Sequence, residues 1–343
     1  MELPGVVTEG SQLTHYEGTE KLLEIWFEPL RHRNGDIHGQ GTPDLKVIPR
    51  ERLVELMKLV HCEIVSEKCR DEHHAYVLSE SSMFLSKERF ILKTCGTTTL
   101  LSAIEPILKL AKDFCGFTFK TVFYSRKNFF RPELQEVPHR NFEDEVHYLD
   151  TLFDCGAAYM LGRINGDCWH LYTLDICNGQ NQPDQTLEIL MTQLDPSIMK
   201  HFKDTTGRKA ADVTKASGIA DLLPDCQIDD FLFEPCGYSM NGLLPKDGYM
   251  TIHVTPEEEY SYVSFETNIE LEDYGDLVNK VLTTFNPGKC VMTLFASKTA
   301  KCGTSMKALS ETFLDKYRRH DRQFSQFQTY DLTFATYIRD KKV

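Results

Sequence analysis

Twice along this chain the same order of elements can be read: two strand-like runs joined by a short turn, an amphipathic helix, then another strand. The first copy comprises Ala75–Leu85 and Arg89–Cys95, then a helix on which Leu100, Leu101, Ile104, Leu108 and Ala111 recur at helical spacing with Pro106 as a kink, then Phe119–Tyr124. The second comprises Gly248–Thr255 and Tyr260–Thr267, a helix over Tyr274–Phe285, and Val291–Phe295. Turns this short join antiparallel neighbours, because a parallel crossover needs roughly a dozen residues or more. The expected fold is therefore α+β: a four-layer αββα sandwich of two mainly antiparallel sheets with outer helices, related by internal duplication.

The remaining chain fits around this repeat. Thr19–Leu30 is expected to be a helix, since Leu22, Leu23, Trp26, Phe27 and Leu30 share one arc while Glu20 and Glu24 take the other, with Glu17 just ahead. Arg31–Asp44, with three glycines and a proline, reads as an exposed loop, and Pro49 opens a helix to about Val60. Further strands are expected at Cys62–Ser66, Ala157–Arg163, Cys168–Leu174, Thr186–Met191, Ile228–Phe233 and Thr329–Tyr337, and helices at Phe142–Phe153 and Ala210–Leu222. No low-complexity linker separates the halves, so residues 1–343 are expected to form one composite domain, with 1–15 flexible.

Charge and cysteine usage narrow the chemistry. A formal charge of −13, from 51 acids against 38 bases, argues against a nucleic-acid partner and favours cationic ligands. The 11 cysteines form no CxxC pair, so neither a zinc centre nor a disulfide framework is expected. Met1–Gly5 lacks the start of a signal peptide, and no apolar run approaches the roughly 20 residues of a membrane helix. A cytosolic protein with no membrane partner is the simplest expectation. Phosphate-binding glycine loops are absent, and Ser239 lacks the Gly-x-Ser-x-Gly elbow of a hydrolase.

Chemistry concentrates in Leu78-Ser79-Glu80-Ser81-Ser82-Met83-Phe84 and in Lys93-Thr94-Cys95-Gly96-Thr97. A serine that attacks the carbonyl of the preceding residue can cut its own backbone. Taken singly, the neighbouring features are ordinary: Cys95 as a small buried apolar residue, His253 as a core histidine, Glu17, Glu20 and Glu24 as a solvated helix face, Asp184 and Glu188 as turn and edge residues. Together and in order they are not. Tyr16–Lys21, Tyr124–Asn128, Gln182–Glu188, Cys236–Gly242, Thr251–Glu257 and Tyr262–Glu266 complete a set that closely resembles the eukaryotic S-adenosylmethionine decarboxylase proenzymes, from about Tyr16 to the 330s.

That resemblance implies a pyruvoyl-dependent enzyme that cleaves itself between Glu80 and Ser81 into chains 1–80 and 81–343, with the pyruvoyl group made from Ser81. It implies His253 as the base for the Ser81 Cα proton, Ser239 as the hydroxyl supporting the acyl shift, Cys95 as the acid that reprotonates the substrate carbon, and Glu17 and Glu20 as active-site acids. Tyr16 and Phe233 would sandwich the adenine of S-adenosylmethionine, Glu257 would bind the ribose, and Glu80 would contact the adenine through its backbone. Position 16 departs from the family's usual phenylalanine, so its hydroxyl needs a partner. Glu24, Asp184, Thr186, Glu188 and Glu266, with Phe123 and Phe295, match a putrescine site, linked to Ser81 through Glu20, Lys21 and Lys93. A homodimer of the cleaved pair is implied, and no metal. The alternative is a catalytically inactive homologue that activates a partner decarboxylase. One point stays open from the residues alone: Lys93 and a following helix N-terminus should favour a Cys95 thiolate, which conflicts with an acid role.

Overall fold

The computed structural model describes residues 16–30, 43–71, 73–174, 184–203, 207–303, 309, 313–314 and 316–340. Short apolar runs separated by turns pair into two antiparallel sheets. The first is made of β1 (Lys21–Pro29), β2 (Ile64–Arg70), β3 (His73–Leu78), β4 (Ser81–Leu85), β5 (Arg89–Thr94), β6 (Phe117–Lys127), β7 (Gly156–Gly162) and β8 (Cys168–Leu174). Its spatial order is β2-β3-β4-β5-β1-β6-β8-β7. The second is made of β9 (Gln185–Thr192), β10 (Gln227–Leu232), β11 (Tyr238–Leu243), β12 (Tyr249–Thr255), β13 (Tyr262–Thr267), β14 (Lys289–Ser297), β15 (Phe313–Leu314), β16 (Tyr317–Gln326) and β17 (Tyr330–Arg339). Its order is β10-β11-β12-β13-β9-β14-β17-β16-β15. Apart from β15, added at one edge, the second order repeats the first strand for strand, so the duplication extends over the whole fold.

Helices cover the outer faces. Leu23, Ile25 and Phe27 of β1 pack with apolar side chains of α1 (Arg50–Leu59), α2 (Ile104–Cys115) and α3 (Phe142–Leu152). Leu187, Ile189 and Met191 of β9 pack likewise with α4 (Pro196–Lys203), α5 (Ala210–Ala216) and α6 (Gly275–Phe285). Between the sheets lie smaller apolar clusters, one joining Phe123, Trp169 and Leu171 to Leu190, Val291 and Leu332, the other joining Phe84 and Ile91 to Leu243 and Tyr249. The αββα expectation holds.

One element is corrected. Residues 21–29 form strand β1, not a helix, and lie between β5 and β6. This strand is buried on both faces: alternate residues reach the helix layer, while Leu22 and Trp26 reach the inter-sheet layer. Apolar residues on both faces erase the strand alternation and imitate helical spacing. The expected run Ala75–Leu85 is broken by a turn at Ser79-Glu80, and the expected helix Ala210–Leu222 stops at Ala216, ahead of Gly218 with φ 85°. The strands β11 and β16 and the helix α4 had no expectation. Residues 1–15 and most of the Arg31–Asp44 loop lie outside the described residues.

Candidate active site between the sheets

The β3–β4 connection consists of Ser79 and Glu80 alone, and its neighbours hold it from both sides. Ser79 N–H donates to Glu63 O (2.8 Å) and Glu63 N–H to Ser79 Oγ (2.9 Å), while Cys95 N–H, just past β5, donates to Glu80 O (2.9 Å). Ser81 is thereby fixed at φ 135°, a conformation that costs a non-glycine residue about 1–3 kcal/mol. Its hydroxyl donates to Glu20 Oε1 at 2.5 Å. The Cys95 thiol donates a second hydrogen bond to Glu80 O, at 3.2 Å. The Glu80 carbonyl, next to the Ser81 hydroxyl in the chain, is therefore polarised by two donors from one residue.

The opposite sheet supplies a histidine. Ser239 and His253 are register partners on β11 and β12, and Ser239 Oγ meets His253 Nδ1 at 2.8 Å. On its other side His253 Nε2 meets Thr251 Oγ1 (2.8 Å) and Ser82 Oγ (3.0 Å), with Glu20 Oε1 at 3.7 Å. Burial depresses the His253 pKa to about 4 against the pull of Glu20, so the ring is neutral and can accept a proton. Burial alone would raise Glu20, but Lys93 and His253 together with hydrogen bonds from Ser264 and Ser81 hold it below the ordinary carboxyl range. Burial, reinforced by Glu80 and Glu20, raises the Cys95 thiol well above its ordinary value. The first helical turn begins only at Leu100 and Lys93 is taken up by carboxylates, so the two features expected to favour a thiolate are both directed away from Cys95.

A cavity of about 280 Å³ adjoins this junction, with Tyr16, Glu80, Ser81, Cys95, Phe233, Ser239, His253 and Glu257 all on its wall. Glu257 Oε2 is buried with no hydrogen-bond partner among the described residues, an acceptor open to a donor in the cavity. Two expected residues find partners of their own. Ser239 Oγ lies on the His253 ring, a contact suited to orienting it. Glu17 does not line this cavity: its carboxylate accepts from the Phe130 (2.8 Å) and Arg131 (3.1 Å) backbone amides and anchors that loop.

The second expected cluster is also assembled, with cations already inside it. Lys93 Nζ lies 2.8 Å from Glu266, 3.5 Å from Glu20 and 3.8 Å from Glu188. Arg89, which had no expectation, lies 2.9 Å from Glu24 and 3.5 Å from Asp184, over the Trp26 ring. In the β1–β5 pairing Arg89 stands opposite Trp26, a neighbour that a helical reading of β1 hides. Glu24, Asp184, Thr186, Glu188, Glu266, Phe123 and Phe295 together line a small cavity of about 50 Å³. Tyr330, also unexpected, stacks on Phe295 and donates to Asp184 Oδ2 at 3.4 Å. Burial, opposed by Lys93 and reinforced by Glu266, pushes Glu188 up to about 7. The Lys21 part of the expected link is overturned. Lys21 falls on the same face of β1 as Leu23, with its ammonium on Gly96 O and Gln135 Oε1, away from the acidic set. Among the described residues one His/Cys/acid grouping has metal-like spacing, Glu67, Cys69 and His74, and none of the three lines either cavity.

Comparison with known proteins agrees with this geometry. Residues 13–338 match the adenosylmethionine decarboxylase family. A Xenopus laevis S-adenosylmethionine decarboxylase proenzyme is 51% identical over 334 residues, covering 96% of this chain and 97% of that one. A Drosophila melanogaster protein of the same name is 46% identical, covering 95% and 96%. Among solved structures, the Trypanosoma brucei AdoMetDC-delta26 monomer superposes with a TM-score of 0.60 at 27% identity, covering 75% of this chain and 99% of that one. Similarity that runs almost end to end in sequence, with a shared fold over 75% of the chain, places this chain in the adenosylmethionine decarboxylase family.

Proposed function

We propose that the chain carries out the reaction of its family, decarboxylation of S-adenosylmethionine for spermidine and spermine synthesis, after cutting itself between Glu80 and Ser81. The observation that carries this reading is the junction itself: a strained Ser81 with its hydroxyl on Glu20, beside a Glu80 carbonyl that accepts two hydrogen bonds from Cys95. Glu20 takes the hydroxyl proton as Ser81 Oγ adds to the Glu80 carbonyl carbon, and the Cys95 N–H and S–H meet the charge developing on oxygen. As the peptide C–N bond breaks, Glu20 returns that proton to the Ser81 nitrogen, and the acyl group passes from nitrogen to oxygen with relief of the backbone strain. Neutral His253, oriented by Ser239, then removes the Ser81 Cα proton, and Glu80 leaves as a carboxylate. Hydrolysis of the resulting dehydroalanine releases ammonia and leaves a carbonyl where Ser81 stood.

Ser81 on the cavity wall suits a pyruvoyl group formed in place, which supplies an electron sink for the loss of carbon dioxide. Tyr16 and Phe233 offer rings to the adenine, and Glu257 Oε2 takes the ribose hydroxyls. Cys95, protonated, delivers the final proton to carbon. In the second cavity putrescine is the proposed occupant. Its two ammonium groups would pair with Glu24, Asp184, Glu188 and Glu266 and, by changing the partners of Lys93, alter Glu20. No helix among the described residues is long and apolar enough to cross a membrane. A cytosolic homodimer of the cleaved pair completes the reading, with sedimentation as its test.

Intact mass after incubation tests the core of the proposal. Fragments 1–80 and 81–343 are expected, Ser81→Ala stays one chain, and carbon dioxide release follows the cut. A parent chain that stays whole through long incubation with putrescine overturns the reading in favour of an inactive, partner-activating homologue.

A further inference from the structure

The Tyr16 hydroxyl touches two groups that come from separate parts of the first sheet. It donates to Glu80 Oε2, in the β3–β4 turn, and lies 3.0 Å from Cys95 Sγ, just past β5. Gly96 makes this approach possible: at φ 63°, a Cβ there would sit 3.3 Å from Glu80 Oε2 and 3.5 Å from the Tyr16 ring. The Tyr16 side chain is half-buried on the cavity wall. A thiol that gives up its proton in a buried site leaves an anion, and an anion there needs a donor. Tyr16 is the hydroxyl in reach of it.

We propose that Tyr16 is a positioning residue for Cys95: its hydroxyl, 3.0 Å from Sγ, donates to Glu80 while Cys95 is a thiol and turns to donate to the thiolate once the proton has been transferred. The inference rests on the reading of Cys95 as the proton donor, and it adds a role that ring stacking does not need. Tyr16→Phe removes only the hydroxyl. The expected result is a KM for S-adenosylmethionine within about twofold of the parent and a kcat lower by about tenfold, the size of one hydrogen bond to a charged group. Tyr16→Leu, which removes the ring as well, should raise KM.

A second readout does not use turnover. In the uncut Ser81→Ala chain, alkylation of Cys95 by iodoacetamide is followed by peptide mass spectrometry across pH. Adding Tyr16→Phe should move the Cys95 profile up by about one pH unit, because the thiolate has lost its donor. An unchanged profile overturns the proposal, as does a Tyr16→Phe enzyme with raised KM and intact kcat, which would assign the hydroxyl to substrate binding. Normal turnover by Cys95→Ala overturns the underlying acid assignment instead, so the two failures are distinguishable.

Discussion

The hairpins β3–β4 and β11–β12 occupy equivalent places in the two halves of the duplicated fold, yet only the first carries a positive φ on a strand residue. In the first half, Leu78 pairs with Ser81 across a two-residue turn, and the positive φ falls on Ser81, the first residue of β4. In the second, Leu243 pairs with Tyr249 across Leu244–Gly248, and positive φ falls on the loop residues Lys246 and Asp247. The longer loop absorbs the reversal before the strand begins. The short one passes it into a peptide bond flanked by a nucleophile. What the second half contributes is the response: on β12 it carries His253, facing the first half's turn across the inter-sheet layer.

Lengthening the first turn until it resembles the second should have the largest effect. Two glycines inserted between Ser79 and Glu80 should slow cleavage by about 10-fold or more, as expected from releasing about 1–3 kcal/mol of strain, with the fraction cut read on a denaturing gel. Cleavage at the parent rate would show that strain is not what separates the hairpins. Next, Glu20→Gln keeps the shape but removes the proton acceptor of Ser81, so cleavage should slow by about 10-fold with little loss of thermal stability. Equal rates would move that role elsewhere. In the second cavity, putrescine should bind Glu188 as its carboxylate. Affinity should therefore rise with pH through about 7, and calorimetry in two buffers should show proton release.

A last effect, read in melting and not in cleavage, concerns the whole fold. Burial depresses His73 to about 3 and His139, His170 and His253 to about 4, from an ordinary 6.5. Above pH 6.5 these histidines are neutral in both states and cost nothing. As pH falls towards 4, the unfolded chain takes up protons that the folded one refuses, so stability drops by about 1.4 kcal/mol per pH unit for each such proton. Glu188, raised to about 7, works the opposite way for one proton. Melting temperature should therefore fall on acidification across this window, and a flat profile would mean that the histidines are more hydrated than the structure shows.

Much of this was legible in the chain because local pattern and final environment agree. Strands β12 to β14 and helices α2 and α6 bury one clear face, or are short apolar runs between turns, and their spacing announces them. Where the environment is two-sided the pattern fails. Leu22, Glu24 and Trp26 look like parts of a helical arc until β5 and β6 close around β1 and place them in the inter-sheet layer. The site residues were readable as a set because their order along the chain is specific, but their roles are set by partners. Nothing local says that Glu17 faces backbone amides or that Ser239 serves the histidine. Arg89 was invisible for the same reason: an arginine is placed among carboxylates only by pairing across the sheets.

The position of β1 has a further consequence. A cut at Glu80 puts β1, β2 and β3 in one piece and every other strand in the second, yet β1 still lies between β5 and β6, bonded on both edges. The smaller piece is woven into the larger and cannot come away without opening the sheet. Under the proposed cut the protein becomes a history-dependent object, assembled as one chain and then made discontinuous. Melting it should be a one-way event, whereas the uncut Ser81→Ala chain retains the connection needed to refold.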